Sequence, residues 1–237
     1  KSSVLLKFVP EDALAFVQVD HMDQLFANID AFMEPMGGIP LMGDVSVKEL
    51  LMSTVEPNLP FKLDSFDFSK PWGGALLPGG GQGEEPAGVI CLPLNKSRAD
   101  VEVITSFLEK AGKAKVKQAG DYLLVFLMMD IPSELPAKTL DLRAIKPMDS
   151  GSILAYINLE NIYSAFGITG EMLKGLLLSG LKEPGLGLSS SDFTGSIMST
   201  MADLIMEVKD YSIGLHVNGE GLFYKNTVSF MEGGTLD

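Results

Sequence analysis

The sequence predicts an α+β fold: mostly antiparallel sheet with packed helices, arranged as two related units of which the second is shorter. Three observations predict it. Short apolar segments of strand character recur between turns containing Gly, Pro and Asn. Segments with apolar residues at helical spacing fall among them, without the strict alternation that a doubly wound sheet requires. Finally, one segment occurs twice. Offset by 140 positions, Leu14-Ala-Phe-Val-Gln-Val-Asp20 faces Leu154-Ala-Tyr-Ile-Asn-Leu-Glu160. From Leu14 to Phe26, three of thirteen positions are identical and most others keep size and polarity. Each copy reads as a buried strand that runs through an acidic residue into an amphipathic helix. The units are placed at 1–147, with 131–147 as a connection, and at 148–237; the alternative is one continuous domain.

In chain order, Lys1 to Phe8 alternates loosely and Pro10-Glu-Asp12 breaks it before the first repeat strand. Asp20 is placed to cap a helix whose apolar face is Met22, Leu25, Phe26, Ile29 and Phe32-Met33. Pro35 and Gly37-Gly38 end that helix. Val47 to Glu56 follows as a second one, with Ser46 as its cap. Phe61 to Phe68 alternates large apolar with polar residues and reads as a short strand or extended arm. Ala75-Leu-Leu-Pro78 and Ala87 to Leu94 form a hairpin with a long loop at Gly79 to Pro86. Ala99 to Ala111 is an amphipathic helix with Val101, Ile104, Phe107 and Leu108 inward and Gly112 at its C′ position. Lys113 to Gln118 and Tyr122 to Met129 make another hairpin. Its second strand is apolar on both faces, as a covered central strand should be. In the second unit, Glu160 to Leu181 is helical with breaks at Gly167 and Gly170, and Glu183 to Ser191 is a loop. Asp192 or Thr194 caps a helix from Ile197 to Val208. The last hairpin has Tyr211, Ile213, Leu215 and Val217 on one face and Ser212, Gly214 and His216 on the other. It turns at Asn218-Gly-Glu-Gly221 and returns through Leu222, Tyr224 and Val228.

At 46% hydrophobic and 21% charged, the 237 residues can bury a substantial core. A net charge of −13 excludes nucleic acid and electrostatic docking to anionic lipid, whose phosphates would repel this surface. The longest apolar run, Tyr122 to Met129, stops at Asp130 and falls far short of the ~20 residues of a transmembrane helix. Opening on Lys1 rather than Met suggests a mature or trimmed product. Cys91, the single cysteine, sits in Val89-Ile-Cys-Leu-Pro93 and reads as a small buried hydrophobe rather than a reactive thiol.

Residues with chemical potential are dispersed. Asp20-His21-Met22-Asp23 is the one place where His meets carboxylates, but neighbours at a helix start diverge in direction, and the second copy replaces them with Glu160-Asn161-Ile162-Tyr163. His216 alternates away from the apolar face of its strand. Two distant histidines and one cysteine make a zinc site improbable. Gly79-Gly-Gly-Gln-Gly lacks the Lys-Ser/Thr of a phosphate loop and precedes a strand. Ser189-Ser-Ser191 lies in a loop, Ser196 begins a helix, and no Gly-x-Ser-x-Gly elbow occurs. Asp64 and Asp67 read as the solvent face of the aromatic arm, and Asn95-Lys-Ser97 as a chance glycosylation match. The thirteen methionines include two groups, Met33, Met36, Met42 and Met52, then Met198, Met201 and Met206. They suit an irregular core first and an apolar groove second.

Pro10-Glu-Asp-Ala-Leu-Ala-Phe-Val-Gln-Val-Asp20, Phe66-Asp-Phe-Ser-Lys-Pro-Trp72 and Ile90-Cys-Leu-Pro-Leu94 resemble a group of exported bacterial proteins of unknown function. The resemblance covers about half the chain. It implies export, to the periplasm or cell surface, and a repeated α+β architecture. It brings no catalytic residues, and Ser191-Asp-Phe-Thr194 only echoes Phe66-Asp-Phe-Ser69. The resulting expectation is a non-enzymatic exported protein, structural or protein-binding, with a protein partner or a second copy as its ligand. No catalytic, cofactor or metal residue is assigned. The alternative is a carrier or sensor of an apolar, lipid-like ligand, and a third reading is a hydrolase using Asp20, His21 or Asp64. An interaction protein should expose an apolar patch or an unpaired strand edge, for which the last hairpin near Phe230 is the candidate.

Overall fold

The two repeat strands lie side by side. In the computed structural model, which describes residues 4–36, 45–79, 85–111, 114–140, 152–181 and 192–232, β1 (Ala15–Val19) pairs antiparallel with β6 (Ile153–Asn158). Phe16 stands opposite Tyr156, the residue with which the sequence offset equates it. Outward from β1 run β2 (Trp72–Leu77), β3 (Ala87–Pro93), β5 (Tyr122–Leu127) and β4 (Ala114–Ala119). Outward from β6 run β7 (Val208–Asn218) and β8 (Gly221–Phe230). Every pairing in this eight-stranded sheet is antiparallel, so the fold is α+β as expected. The residues of 1–147 and 148–237 share it through the β1–β6 ladder.

The helices described are α1 (Met22–Met33), α2 (Val47–Val55), α3 (Val101–Ala111), α4 (Leu159–Phe166), α5 (Gly170–Leu181) and α6 (Asp192–Glu207). Side chains alternate between the two faces of a sheet. One face therefore carries the row Phe126, Val89, Ala75, Phe16 and Tyr156, all buried. This row packs with Leu5, Leu6, Phe8 and Val9 from the start of the chain and with Leu140. Cys91 lies in the same cluster at 0% exposure, and burial pushes its thiol up to about 12, as suits an inert apolar side chain. A second cluster joins Ile104 of α3 to Leu94, Leu123 and Phe66. The amphipathic reading of that helix and the covered reading of β5, buried from Tyr122 through Phe126, both hold.

Several local expectations are corrected. Asp20 does not cap α1; the cap position is His21, whose side chain makes no capping bond, and Asp20 instead accepts a hydrogen bond from Gln18 Nε2. Ser46 does cap α2, and Glu49 completes a reciprocal capping box. Phe61 to Phe68 is no strand. Its backbone turns at Leu63–Ser65, and only Phe66 bridges to a strand neighbour, Leu94. The alternating aromatics pack into a cluster instead: Phe61 meets Phe66 and Phe107 edge-on, and Phe68 stacks on Trp72. The long second-unit helix breaks at Gly167, whose φ of 61° gives the left-handed cap that glycine tolerates. Gly170, expected as a break, is the first residue of α5. α6 begins at Asp192, so Asp192 and Thr194 lie inside its first turn rather than before it. Asn218 pairs with Gly221, and its Oδ1 accepts from the N–H groups of Glu220 and Gly221. The side chain thus helps to close the turn. The loops at Gly37-Gly38, Gly80 to Glu84, Gly112, 141–151 and 182–191 lie outside the described residues.

Candidate interaction surface

Among the described residues those with chemical potential do not converge, and His21, Asp64 and Asp67 are tied into turns. His21 Nδ1 donates to Ser69 O at 2.5 Å, and the Asp23 N–H donates to Phe68 O at 3.2 Å. Asp64 pairs with Arg98 at 2.6 Å. Asp67 accepts from Ser69 Oγ at 2.6 Å and from the Ser69 N–H at 3.1 Å, while its own carbonyl accepts from Trp72 Nε1. Lys70 Nζ lies 3.2 Å from Asp67 and 3.3 Å from Asp121, and Lys96 also reaches Asp121 at 2.5 Å. The Asp67-x-Ser-Lys-Pro71 segment is thus a folded turn pinned to the β4–β5 turn. That is a structural reason for its composition.

Burial raises the Asp67 carboxyl, but the hydrogen bonds from Ser69 and Lys70 outweigh it and hold the group below its ordinary value. Hydrogen bonds from Lys96 and Lys70 lower Asp121 in the same direction. A folded-state value below the unfolded one gives stability that is complete above the ordinary carboxylate range. That stability is lost as pH falls through the depressed value. Lys70→Met should therefore lower stability measurably but modestly at neutral pH, since these groups are partly exposed to solvent. In urea unfolding followed across pH, the gap between the two proteins should close as the solution is acidified below about pH 4.

Other candidates resolve similarly. His216 is half-buried rather than free on the solvent side, with Ser152 Oγ 3.2 Å from Nδ1 and the Phe223 ring alongside. Asn218 Nδ2 lies 3.5 Å from its other nitrogen, and Ser152 is itself buried. Ser196 is exposed on α6, and Ser189 to Ser191 lie outside the described residues. Asn95 bonds to Asp64 O and to Ser97, again within a turn. Among the described residues no group of three or more His, Cys, Asp or Glu could hold a metal, and no helix is long and apolar enough to cross a membrane. Met33, Met52 and Met206 are half-buried and Met201 is exposed. Met52 lines an open depression of about 420 Å³ with Leu59, Phe61, Glu56 and Lys62.

The two edges of the sheet differ sharply. β4 ends one side, and its lysines guard it: Lys115 pairs with Asp130, and Lys117 donates to Pro132 O at 3.2 Å. Among the described residues β8 ends the other side, with ten residues carrying a single charge, Lys225. Leu222 (63%), Tyr224 (70%), Val228 and Phe230 are exposed on one face, and Phe223 on the other. Register carries the first face inward: Val228 stands beside Tyr211, then Ile157, Ala15 and Leu76, of which Ile157 and Leu76 are also exposed. An unguarded apolar edge thus continues into an exposed apolar row on the sheet. The chain matches no family model, no curated protein and no solved structure. Its surface must therefore be read from its own chemistry. The sequence signal for this edge was the Leu222, Tyr224, Val228 alternation; what it lacked was the position of β8 at the end of the sheet.

Proposed function

We propose that this is a non-enzymatic, exported interaction protein whose β8 edge takes a partner strand. The observation that carries the reading is the contrast between the lysine-guarded β4 edge and the apolar, nearly uncharged β8 edge. An edge strand offers unpaired backbone N–H and C=O groups for strand addition, and the flanking apolar side chains supply contact area. Export enters the reading through the resemblance of Pro10–Asp20 and Phe66–Trp72 to exported proteins. A duplicated β-then-α unit is the architectural part of the same reading. It is supported by Phe16 standing opposite Tyr156 and by the outward strand orders β1-β2-β3 and β6-β7-β8, which correspond. The helices that follow differ in length, α1 having twelve residues and α4 eight.

A photoreactive benzoylphenylalanine placed at Tyr224 tests the reading in the cells from which the sequence comes. Irradiation should yield a covalent protein adduct at this position and none when the same group replaces Lys115 on β4. No adduct at position 224, or equal adducts at both positions, would overturn the assignment of the edge.

A further inference from the structure

We infer that the partner taken by the β8 edge is a second copy of this chain, paired antiparallel about a two-fold axis at Asn226. The inference rests on the interaction reading above and names its occupant. It follows from the order of side chains along the strand. A two-fold axis perpendicular to the sheet keeps each face continuous across the join, so residues of β8 meet residues of the same face in the other copy. With the axis at Asn226, Leu222 stands opposite Phe230 of the second copy, Tyr224 opposite Val228, and Asn226 opposite itself. The exposed apolar residues of that face all meet apolar residues, and the two central amides can bond to each other. On the other face Phe223 meets Ser229 and Lys225 meets Thr227, so no charge faces a like charge.

Neighbouring registers are worse. An axis at Lys225 sets two ammonium groups directly opposite, which is destabilising in a sheet. An axis at Thr227 sets Leu222 against Glu232. The Asn226 register also pairs every residue from Leu222 to Phe230. It extends the exposed Leu76, Ile157 and Val228 row onto Tyr224 of the second copy. The opposing influence is global: each copy carries −13, so their approach is repulsive, and screening should favour the dimer.

Sedimentation equilibrium of the purified chain is the test, from about 1 to 100 µM, at low salt and at about 0.15 M salt. The expected result is a concentration-dependent dimer that strengthens with salt. Tyr224→Glu and Val228→Lys, both at exposed positions, should each weaken it roughly tenfold, because each homodimer then sets a charge against an apolar residue twice. Mixed in equal amounts, the two variants should restore dimer, since position 224 of one copy then faces position 228 of the other as a Glu–Lys pair. A misfolded variant could not be rescued by mixing. A chain that stays monomeric throughout, or variants that fail to restore each other, would overturn the self-pairing and its register. The photoreactive Tyr224 protein separates this from failure of the edge itself. An adduct of twice the 25.5 kDa chain mass supports self-pairing. An adduct of another mass keeps the edge as an interaction site and overturns the second copy as its occupant.

Discussion

Phe16→Ala should lower the stability of the folded protein by about 4 kcal/mol, as expected for truncating a fully buried phenylalanine. The ring is 2% exposed and lies between Ala75 on β2 and Tyr156 on β6, in the cluster that includes Leu5, Phe8 and Val9. Its strand is held by a ladder on each side, so the backbone cannot close over the space left behind. In a chain of this size the loss corresponds to a fall of roughly 10 °C in Tm. Val17→Ala, one residue along and 47% exposed, should change stability by less than about 1 kcal/mol. Denaturant unfolding followed by Trp72 fluorescence and by far-ultraviolet circular dichroism checks both. The two signals should move together. Trp72 belongs to the 1–147 half, circular dichroism reports the whole chain, and the β1–β6 ladder joins the halves. Separate transitions would mean that the two halves fold independently.

The parts of the fold legible in the sequence are those where local chemistry and burial agree. The Ser46–Glu49 capping box, the amphipathic α3, the glycine stop at Gly167 and the doubly covered β5 are written in short-range patterns that the tertiary structure reinforces. The failures have one cause: a local signal with two physical solutions. Alternating aromatics in Phe61 to Phe68 satisfy a strand, yet equally satisfy a turn whose rings gather around Trp72 and Phe107. Asp20 could have capped α1, but Gln18, two residues back along an extended strand, competes for the same carboxylate. Likewise Ser212 and Gly214, set opposite the apolar alternation of their strand, lie buried, because the face they share with Tyr156 is the covered one.

The candidate surface was half legible. Composition made Asp20, His21, Asp64 and Asp67 the conspicuous residues, and the fold uses them as ties within turns. The edge at β8 depends on strand order, a long-range property. A hairpin of alternating residues reads the same whether it lies mid-sheet or at the rim. The expectation of an exposed edge near Phe230 named the hairpin, and the pairing of β6 with β1, which places that hairpin outermost, puts Leu222, Tyr224 and Val228 at the surface.

Gly73→Ala should destabilise the protein by about 3 kcal/mol, against the ordinary preference of strands for Ala over Gly, which would favour the substitution by about 0.5–1 kcal/mol. The sign is decided by space. A Cβ at Gly73 would lie 2.5 Å from the Val17 carbonyl oxygen and 2.8 Å from Leu5 Cδ1. The Leu5 tip can move, at some cost in packing. The carbonyl belongs to the β1 backbone, one residue from Phe16, and can retreat only by spreading the β1–β2 ladder in which Gly73 faces Gln18. A methyl group there acts on the same central strand as truncation of Phe16, through overpacking instead of a void. Gly175→Ala gives the contrasting case. That residue lies exposed within α5 with nothing within 4 Å of the added carbon, so helix propensity governs and the protein should gain about 0.5–1 kcal/mol. Urea midpoints of the two variants should shift in opposite directions. A neutral or stabilising Gly73→Ala would mean that β1 and β2 approach less closely in solution than the Gly73–Val17 contact requires.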